Sequence, residues 1–401
     1  MTAAAAGAHP PTGRIALIDA LRAFALFGIL QINIQSYLWG PGATVTFAQP
    51  PSLLDQAVIW LLLTFVATKF LSLFAFLFGY GFALQLKSLR RRLSAVDARR
   101  AYRRRLVFLL VLGVLHGSLL YFGDILTAYA LCGFALLLYA QSRPRVLVSH
   151  AIGWQVANVV LLVLTSIGAH LVGQSVPAEQ AAQVPPEWYE RFALAAAGSF
   201  ADHLAVTVTG YIDLVPLTLT FAAPYVIGLF VLGALAGRLG WLAHPERHPK
   251  VWQRARMIGL ATLPLAAVGA WLSLQGYRES PGVPSALGFV LTTSSFPVMA
   301  LYLAWIVAHR DAPWMRRALH WLAPAGRMPL TNYLVQSVLM GVLLSGWGLG
   351  WGVDLGVTDL ALLGFVIVAL QLVASRAWIA RFGQGPVEAL WKRATYRGGN
   401  A

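Results

Sequence analysis

Asp19, Arg22 and Asn33 lie on one face of a single apolar run. In residues 13–37, GRIALIDALRAFALFGILQINIQSY, they stand at positions 0, +3 and +14, which on a helix places all three within about 60° of Asp19. A run of about 24 residues is long enough to cross a bilayer, and a lipid-facing helix does not keep an acid beside a base. The stripe therefore points into protein. There Asp19 and Arg22, at i and i+3, either neutralise each other and fix helix packing or meet a polar ligand in a water-filled space. A second capable pair follows: His116, between Gly113 and Gly117, and Asp124 in the turn F-G-D-I-L-T-A-Y. A histidine titrates nearest neutrality and suits general-base work, while an Asp at a helix start accepts backbone N–H bonds.

The elements that carry these residues are membrane helices. The chain is 58% hydrophobic and 11% charged, with a mean hydropathy of +0.67, which excludes an ordinary soluble domain. The net charge of +15 would suit nucleic acid, but the bases collect in short segments between apolar runs, as in cytoplasmic loops. No nucleic-acid partner is expected. Cys132 is the sole cysteine, so there is neither an internal disulfide nor a cysteine metal site. Residues 1–13 are rich in Ala, Pro and Gly and read as a disordered tail, and the first apolar run is too long and too polar on one face for a cleaved signal peptide.

Apolar runs fall near 15–38, 53–88, 104–122, 124–141, 146–172, 206–238, 256–275, 286–309, 325–346 and 356–378. The segment Lys87–Arg105 holds nine Lys/Arg against Asp97 alone and must be cytoplasmic. Loop 39–52 has no base, and the loop 173–205 sets Arg191 against four acids, so both belong outside. This alternation allows the run 53–88 an odd number of crossings. One crossing at 70–88 is expected, preceded by a helix at 53–68 that lies along the outer interface or extends beyond it. The expected fold is all-α: a polytopic transmembrane bundle of about ten spanning helices plus an interfacial helix, with both termini cytoplasmic. It forms a single transmembrane domain over 14–397, with an N-terminal core at 14–141 and a C-terminal half at 206–397. No internal repeat is evident, which argues against an inverted-repeat transporter.

Depth along the helices sorts the polar groups into two layers. Asn33 lies about 21 Å beyond Asp19, and His116 about 10 Å short of the turn at Gly123. Asn33 and His116 thus share the outer third, with Asp124 at the turn and Lys69 above them. Arg14, Asp19, Arg22, Arg327 and Glu388 gather on the cytoplasmic side. Asn332 and Gln336, at i and i+4, make one polar face suited to helix–helix hydrogen bonds. No H-E-x-x-H or H-x-x-E-H spacing occurs, so a zinc hydrolase has no support and no metal is expected.

Several motifs together resemble one family. R-I-x-x-I-D-A-L-R-A-F-A-L-F-G-I-L at 14–30, K-F-L-S-L-F-A-F-L-F-G-Y-G-F at 69–82 and R-R-L…G-V-L-H-G…F-G-D-I-L-T-A-Y-A-L-C-G at 104–133 are similar to the YeiB-type family of bacterial membrane proteins. So are G-R-M-P-L-T-N-Y-L-V-Q-S at 326–337 and G-Q-G-P-V-E-A-L-W-K-R at 383–393. The landmarks span residues 14–396 in order. The first helix also resembles a wider group of membrane acyltransferases, which includes O-acyltransferases of bacterial surface polysaccharides and the lysosomal heparan-glucosaminide N-acetyltransferase. Their D-x-x-R signature is matched by Asp19 and Arg22. The O-acyltransferases carry a proposed catalytic histidine 14 residues after that Asp, where this chain has Asn33; the lysosomal-type enzymes also have Asn there, with their histidine further along.

The resemblance implies a multi-pass protein of the bacterial inner membrane that moves an acyl group across it. Acyl-CoA or acetyl-CoA is then the expected donor, bound from the cytoplasm by Arg14, Arg22 and Arg327 beside Asp19. His116 would be the base for a hydroxyl or amine acceptor, a small molecule or glycan, with Asp124 orienting the ring and Asn33 at the oxyanion. Lys69, Tyr129, Asn332, Gln336 and Glu388 would lie along the substrate pathway, and Trp188 and Tyr189 of the outer loop would meet the acceptor or anchor at the interface. Membrane lipid is the expected surrounding partner, and a homo-oligomer is open. The rival expectations are a transporter or flippase of an anionic or lipid-linked solute, with Asp19 and His116 relaying protons, and a non-catalytic membrane partner protein.

Overall fold

The computed structural model describes residues 13–38, 52–174, 186–279 and 286–396. The expected tail, but for Gly13, lies outside them, as do the side chains of Arg14, Trp188 and Tyr189. Sixteen α-helices follow one another among the described residues. The first eight are α1 (Gly13–Ser36), α2 (Leu53–Leu61), α3 (Lys69–Arg90), α4 (Ala95–Leu119), α5 (Leu126–Leu136), α6 (Pro144–Gln174), α7 (Pro186–Ala197) and α8 (Phe200–Leu217). The rest are α9 (Ala223–Leu239), α10 (Pro249–Glu279), α11 (Ala286–Ser294), α12 (Val298–His309), α13 (Pro313–Gly326), α14 (Pro329–Leu344), α15 (Val357–Phe382) and α16 (Pro386–Tyr396). Their ends follow local chemistry. Pro opens α6, α7, α10, α13, α14 and α16, where its missing N–H costs nothing. Ser52, Ser94 and Ser199 accept the backbone N–H three residues on, as N-caps do. Gly240 at φ 72° and Gly383 at φ 77° stop α9 and α15 in the left-handed conformation that glycine tolerates.

The fold is the polytopic helical bundle that the sequence predicts. Among the described residues seven helical stretches are long and apolar enough to cross a membrane: Ala16–Ser36, Leu53–Arg90, Pro144–Gly168, Phe200–Leu239, Pro249–Gly276, Ala286–His309 and Val357–Phe382. The other expected spans correspond to α4, whose first turns are basic, and to the shorter apolar stretches Leu126–Gln141 and Pro329–Leu344. Ala16–Ser36 is the central staff, 78% buried over its most apolar window, against 22% for Pro144–Gly168 and 28% for Val357–Phe382. It packs on α3, α13, α14 and α15, so the N-terminal core and the C-terminal half interleave as one body. The connection 173–205 is partly helical, since α7 and the start of α8 fall within it.

The segment 53–68 is helical and bends before α3 begins. It packs against α10 and α15, with Trp60 Nε1 donating to the Ala267 carbonyl at 3.0 Å and Asp55 accepting from Thr358 at 2.7 and 3.0 Å. It is a bent lead-in to α3 that docks on the bundle. The bend is a π-helical turn at Leu62–Val66 followed by Thr68 at φ 64°.

Close helix contacts are made by glycines. α3 and α9 cross where Cβ atoms at Gly79 and Gly233 would collide with the carbonyls of Phe230 and Phe76. Within a bilayer, small residues let backbones approach and van der Waals packing hold them. Gly233→Val should therefore lower stability by about 1–3 kcal/mol, read as a fall in unfolding temperature in detergent. Gly153→Ala, where a Cβ would meet nothing within 4 Å, should leave that temperature unchanged or slightly raised.

Candidate active site

A cavity of about 530 Å³ opens at the end of the bundle that carries the basic loops, at exposed Gly383, Gln384 and Lys392. This is the size of a small-ligand site. Four cations, Arg22, Arg105, Arg327 and Lys392, line it against two carboxylates, Asp19 and Glu388. Beyond them the walls turn apolar and aromatic, with Phe74, Phe78, Leu109, Leu126 and Tyr129. From Gln85 to Phe74 along α3 is about 16 Å. The space is a funnel with a cationic rim and a greasy floor.

Each rim residue is placed by a specific contact. Arg22 Nη1 donates to Asp19 Oδ1 at 2.9 Å, and the bare Cα of Gly81 leaves room for the guanidinium. A Cβ at Gly326 would collide with the Asp19 carbonyl, so the end of α13 sits hard on α1 and brings Arg327 beside Asp19. Arg327 Nη2 donates to the Gly383 carbonyl at 2.5 Å. Arg105 lies 3.3 Å above the centre of the Trp391 ring, whose Nε1 donates to the Arg105 carbonyl at 2.8 Å. The pair clamps α16 to α4. No acid salt-bridges Arg105 among the described residues, which leaves its charge available to a ligand. Glu388 accepts from the Leu330 and Thr331 N–H groups at 2.7 and 3.1 Å and from the Thr331 hydroxyl at 2.6 Å. Its carboxylate caps α14.

Past the apolar floor lies a sealed polar centre. His116 Nδ1 meets Asp124 Oδ1 at 2.9 Å and Nε2 meets Ser337 Oγ at 2.8 Å. Asp124 also accepts the Leu126 and Thr127 N–H groups at 3.1 and 2.8 Å, so it caps α5 as well as the imidazole. Gly113 lets α4 come this close: a Cβ there would stand 2.5 Å from the Thr127 nitrogen. Because both Asp124 oxygens act as acceptors, Nδ1 is the donor. Nε2 of the neutral ring then accepts the Ser337 proton. Leu126 joins the two regions, since its side chain lines the cavity while its N–H holds Asp124.

The other side of the centre is plugged by aromatics. Tyr121 approaches His116 edge-on at 6.4 Å and shares a 2.8 Å hydrogen bond with Ser36. Tyr37 stacks on Tyr121 at 5.3 Å and donates to the Leu120 carbonyl at 3.0 Å. His203, Phe200 and Trp347 continue the cluster. His116 itself is 1% exposed.

The expected site residues divide accordingly. Asp19, Arg22, Arg327, Tyr129 and Glu388 share the cavity, and His116 pairs with Asp124. Asn33 is half-buried on α1, and its side chain takes no part in the hydrogen bonds of the His116 centre. Lys69 does not line the cavity. Its ammonium donates to the Leu63 carbonyl at 2.8 Å, closing the C-terminus of the helix that the π-turn ends. Asn332 and Gln336 also turn away: Asn332 bonds the Ala325 carbonyl and Ser375, and Gln336 bonds Gln371. They tie α14 to α13 and α15. Arg105, Trp391 and Ser337 are the residues that sequence reading missed. Arg105 shares a helix face with Tyr102 and Leu109 at i−3 and i+4, a signal hidden by its place in a basic run. Among the described residues no three His, Cys, Asp or Glu side chains gather as a metal would need.

Glu388 yields a direct test of this framework. Glu388→Ala leaves the Leu330 and Thr331 N–H groups without their partner and should cost about 1–3 kcal/mol, measured by thermal unfolding. Glu388→Gln, which keeps an acceptor oxygen, should recover part of that loss.

A family profile described as a protein of unknown function (DUF418) matches residues 236–398. The uncharacterized protein YxaH of Bacillus subtilis (strain 168) is 31% identical over 403 residues, covering 96% of this chain and 94% of that protein. The uncharacterized protein YeiB of Escherichia coli (strain K12) is 28% identical, with 95% and 96% covered. An uncharacterized 39.9 kDa protein of Bacillus acidopullulyticus is 26% identical, with 96% and 94% covered. No solved structure matches significantly. These full-length alignments take in the His116 and Asp19 segments that precede the profile match, and the chain belongs to the YeiB-like, DUF418-containing family of bacterial membrane proteins.

Proposed function

We propose that the protein is a membrane-bound acyltransferase that carries an acyl group from a cytoplasmic acyl-CoA or acetyl-CoA to a hydroxyl or amine acceptor at the outer side. One observation carries this reading. A cavity with a cationic rim and an apolar floor is lined by Leu126, the residue whose N–H holds the Asp124 of a His–Asp pair. The positive-inside asymmetry of the loops supports placing the basic end, with both termini, on the cytoplasmic side of the inner membrane. Arg22, Arg105 and Arg327 then face the phosphates of the donor through charge-assisted bonds. The acyl chain lies along Phe74, Phe78, Leu109 and Leu126. His116, held in one tautomer by Asp124, accepts the proton of the attacking group. Opening the Tyr121–Tyr37 stack admits a small-molecule or glycan acceptor from the outer side.

A carrier of an anionic solute is the second reading, because a cavity open at one end and closed beyond His116 also fits one state of an alternating-access protein. Binding and flux separate the two. Calorimetry on purified protein should detect acetyl-CoA or palmitoyl-CoA, and Arg22→Ala or Arg105→Ala should weaken binding about 10–100-fold, a charge-assisted bond of about 1.5–3 kcal/mol. Arg316→Ala, on an exposed position outside the cavity, should not. His116→Ala should keep binding and lose transfer. Failure of acyl-CoA to bind, with anion flux in proteoliposomes, would replace the acyltransferase by the carrier.

A further inference from the structure

The proposed transfer leaves a steric difficulty. His116 is 1% exposed and Ser337 is 1% exposed, and each imidazole nitrogen is already bonded. Cavity and plug close on the centre from opposite sides, so a thioester and an acceptor have no shared space around His116. Direct transfer needs both at once. Transfer through a covalent intermediate needs them only in turn, each from its own side.

The side chain placed for that intermediate is Ser337. Its Oγ is 2.8 Å from His116 Nε2, His116 Nδ1 is 2.9 Å from Asp124 Oδ1, and Asp124 is fixed by two backbone N–H groups. Nucleophile, base and orienting carboxylate thus stand in a serine–histidine–aspartate relay, which is recognised by geometry and not by chain order. The tautomer argument gives the direction, with the Ser337 O–H donating to Nε2. Among the described residues the only other partner within reach of that hydroxyl is the Tyr333 carbonyl, at 3.5 Å. Ser337 is also on the right face. It lies seven residues from Leu330, a cavity-lining residue of α14, hence two turns on, about 10 Å along the axis and nearly in line. His116 bears the same relation to Leu109 on α4. Tyr333, whose ring stands 4.7 Å from the His116 ring, lies between Leu330 and Ser337 on α14.

We propose that Ser337 is the nucleophile of the acyl transfer and is transiently esterified, an inference that rests on the acyltransferase reading. In the first half-reaction Ser337 Oγ attacks the thioester carbonyl and its proton passes to His116 Nε2. The C–S bond breaks, the thiolate takes that proton, and the free thiol leaves towards the cytoplasm. In the second, the acceptor hydroxyl or amine attacks the Ser337 ester and gives its proton to His116. The C–O bond to Ser337 breaks, and Oγ recovers the proton as the acylated acceptor leaves outward.

The signature is exchange that needs no acceptor. The full-length protein, given acetyl-CoA or palmitoyl-CoA with isotopically labelled free CoA, should move label into the acyl-CoA pool. Peptide mass spectrometry after acid quench should find the acyl group on Ser337. Ser337→Ala and His116→Gln, checked for unchanged unfolding temperature, should each lose exchange at least about 100-fold. Ser337→Cys should still form an adduct, now a thioester. Acyl-CoA binding without exchange, or exchange that survives Ser337→Ala, overturns the nucleophile and leaves the acyltransferase reading standing. If no acyl-CoA binds, that reading falls instead, and a fluorophosphonate probe decides on Ser337 alone. Labelling lost in Ser337→Ala and His116→Gln supports an activated serine, and no labelling of the wild type overturns it.

Discussion

A carboxylate inside an apolar bundle must be answered by donors within its reach, and this constraint organises the protein. Asp19 is answered by Arg22, Glu388 by the first N–H groups of α14, and Asp124 by those of α5 together with His116. Water cannot supply the missing bonds to fully buried Asp124, and each acid fixes the geometry of whatever answers it. Two of the three answers are helix starts. α5 and α14 are short, and their N-termini lie within the bundle, where orphaned N–H groups would otherwise be costly. The chain thereby gains two anchored helix ends at which other side chains can be held.

Those two ends define the candidate site. Glu388 holds α14 at the cavity rim and so sets the face along which Leu330, Tyr333 and Ser337 follow. Asp124 holds α5 at the far end and so sets Leu126 and Tyr129 in the cavity wall. His116, on α4, is the point at which the two helices are joined, through Ser337 on one ring nitrogen and Asp124 on the other. Glycines make the approach possible. Gly113 admits α5 to α4, and Gly326 seats α13 on α1, so that cations and acids converge without long flexible reaches. A lysine elsewhere is used in the same way: Lys69 closes a helix end at Leu63, a structural duty that a membrane lysine performs only when a carbonyl is left free.

What could be read from the sequence was one coordinate of each residue. Rise per residue gives depth, and depth set the arginine layer apart from His116, but it put His116 level with Asn33 and about 10 Å short of the turn that carries Asp124, whereas the two side chains meet at 2.9 Å. The inward stripe of α1 was equally legible, because an acid and a base on one face of an apolar helix have few alternatives. Rotation about each helix axis and the tilt between helices are set by packing, and these decided the rest. Asn33 has the right depth but takes no part in the His116 bonds. Ser337 was visible only as the end of a motif, since its partner lies 221 residues away in the chain. Arg105 was absorbed into a count of loop charges that settles topology. The π-turn at Leu62–Val66 carries no local mark that separates it from regular helix, so the fate of Lys69 could not be foreseen.

The two seals around His116 differ in kind, and the difference bears on the order of events. On the cavity side a layer of side chains, Leu126 and Tyr333 among them, separates the apolar floor from Ser337. These side chains are buried and held by packing. On the opposite side Tyr121 and Tyr37 are stacked on each other and tied to Ser36 and to the Leu120 carbonyl. Opening there breaks two hydrogen bonds as well as the stack, at a net cost of about 0.5–1.5 kcal/mol for each bond. On the acyltransferase reading, the donor that enters from the cationic funnel reaches the centre first. In the proposed transfer, loading the centre while the aromatic plug remains shut would keep the thioester carbonyl away from water on the far side. On the same reading the plug needs to yield only after the first group has been handed over, so that seals of two kinds on opposite sides suit a transfer made in two steps.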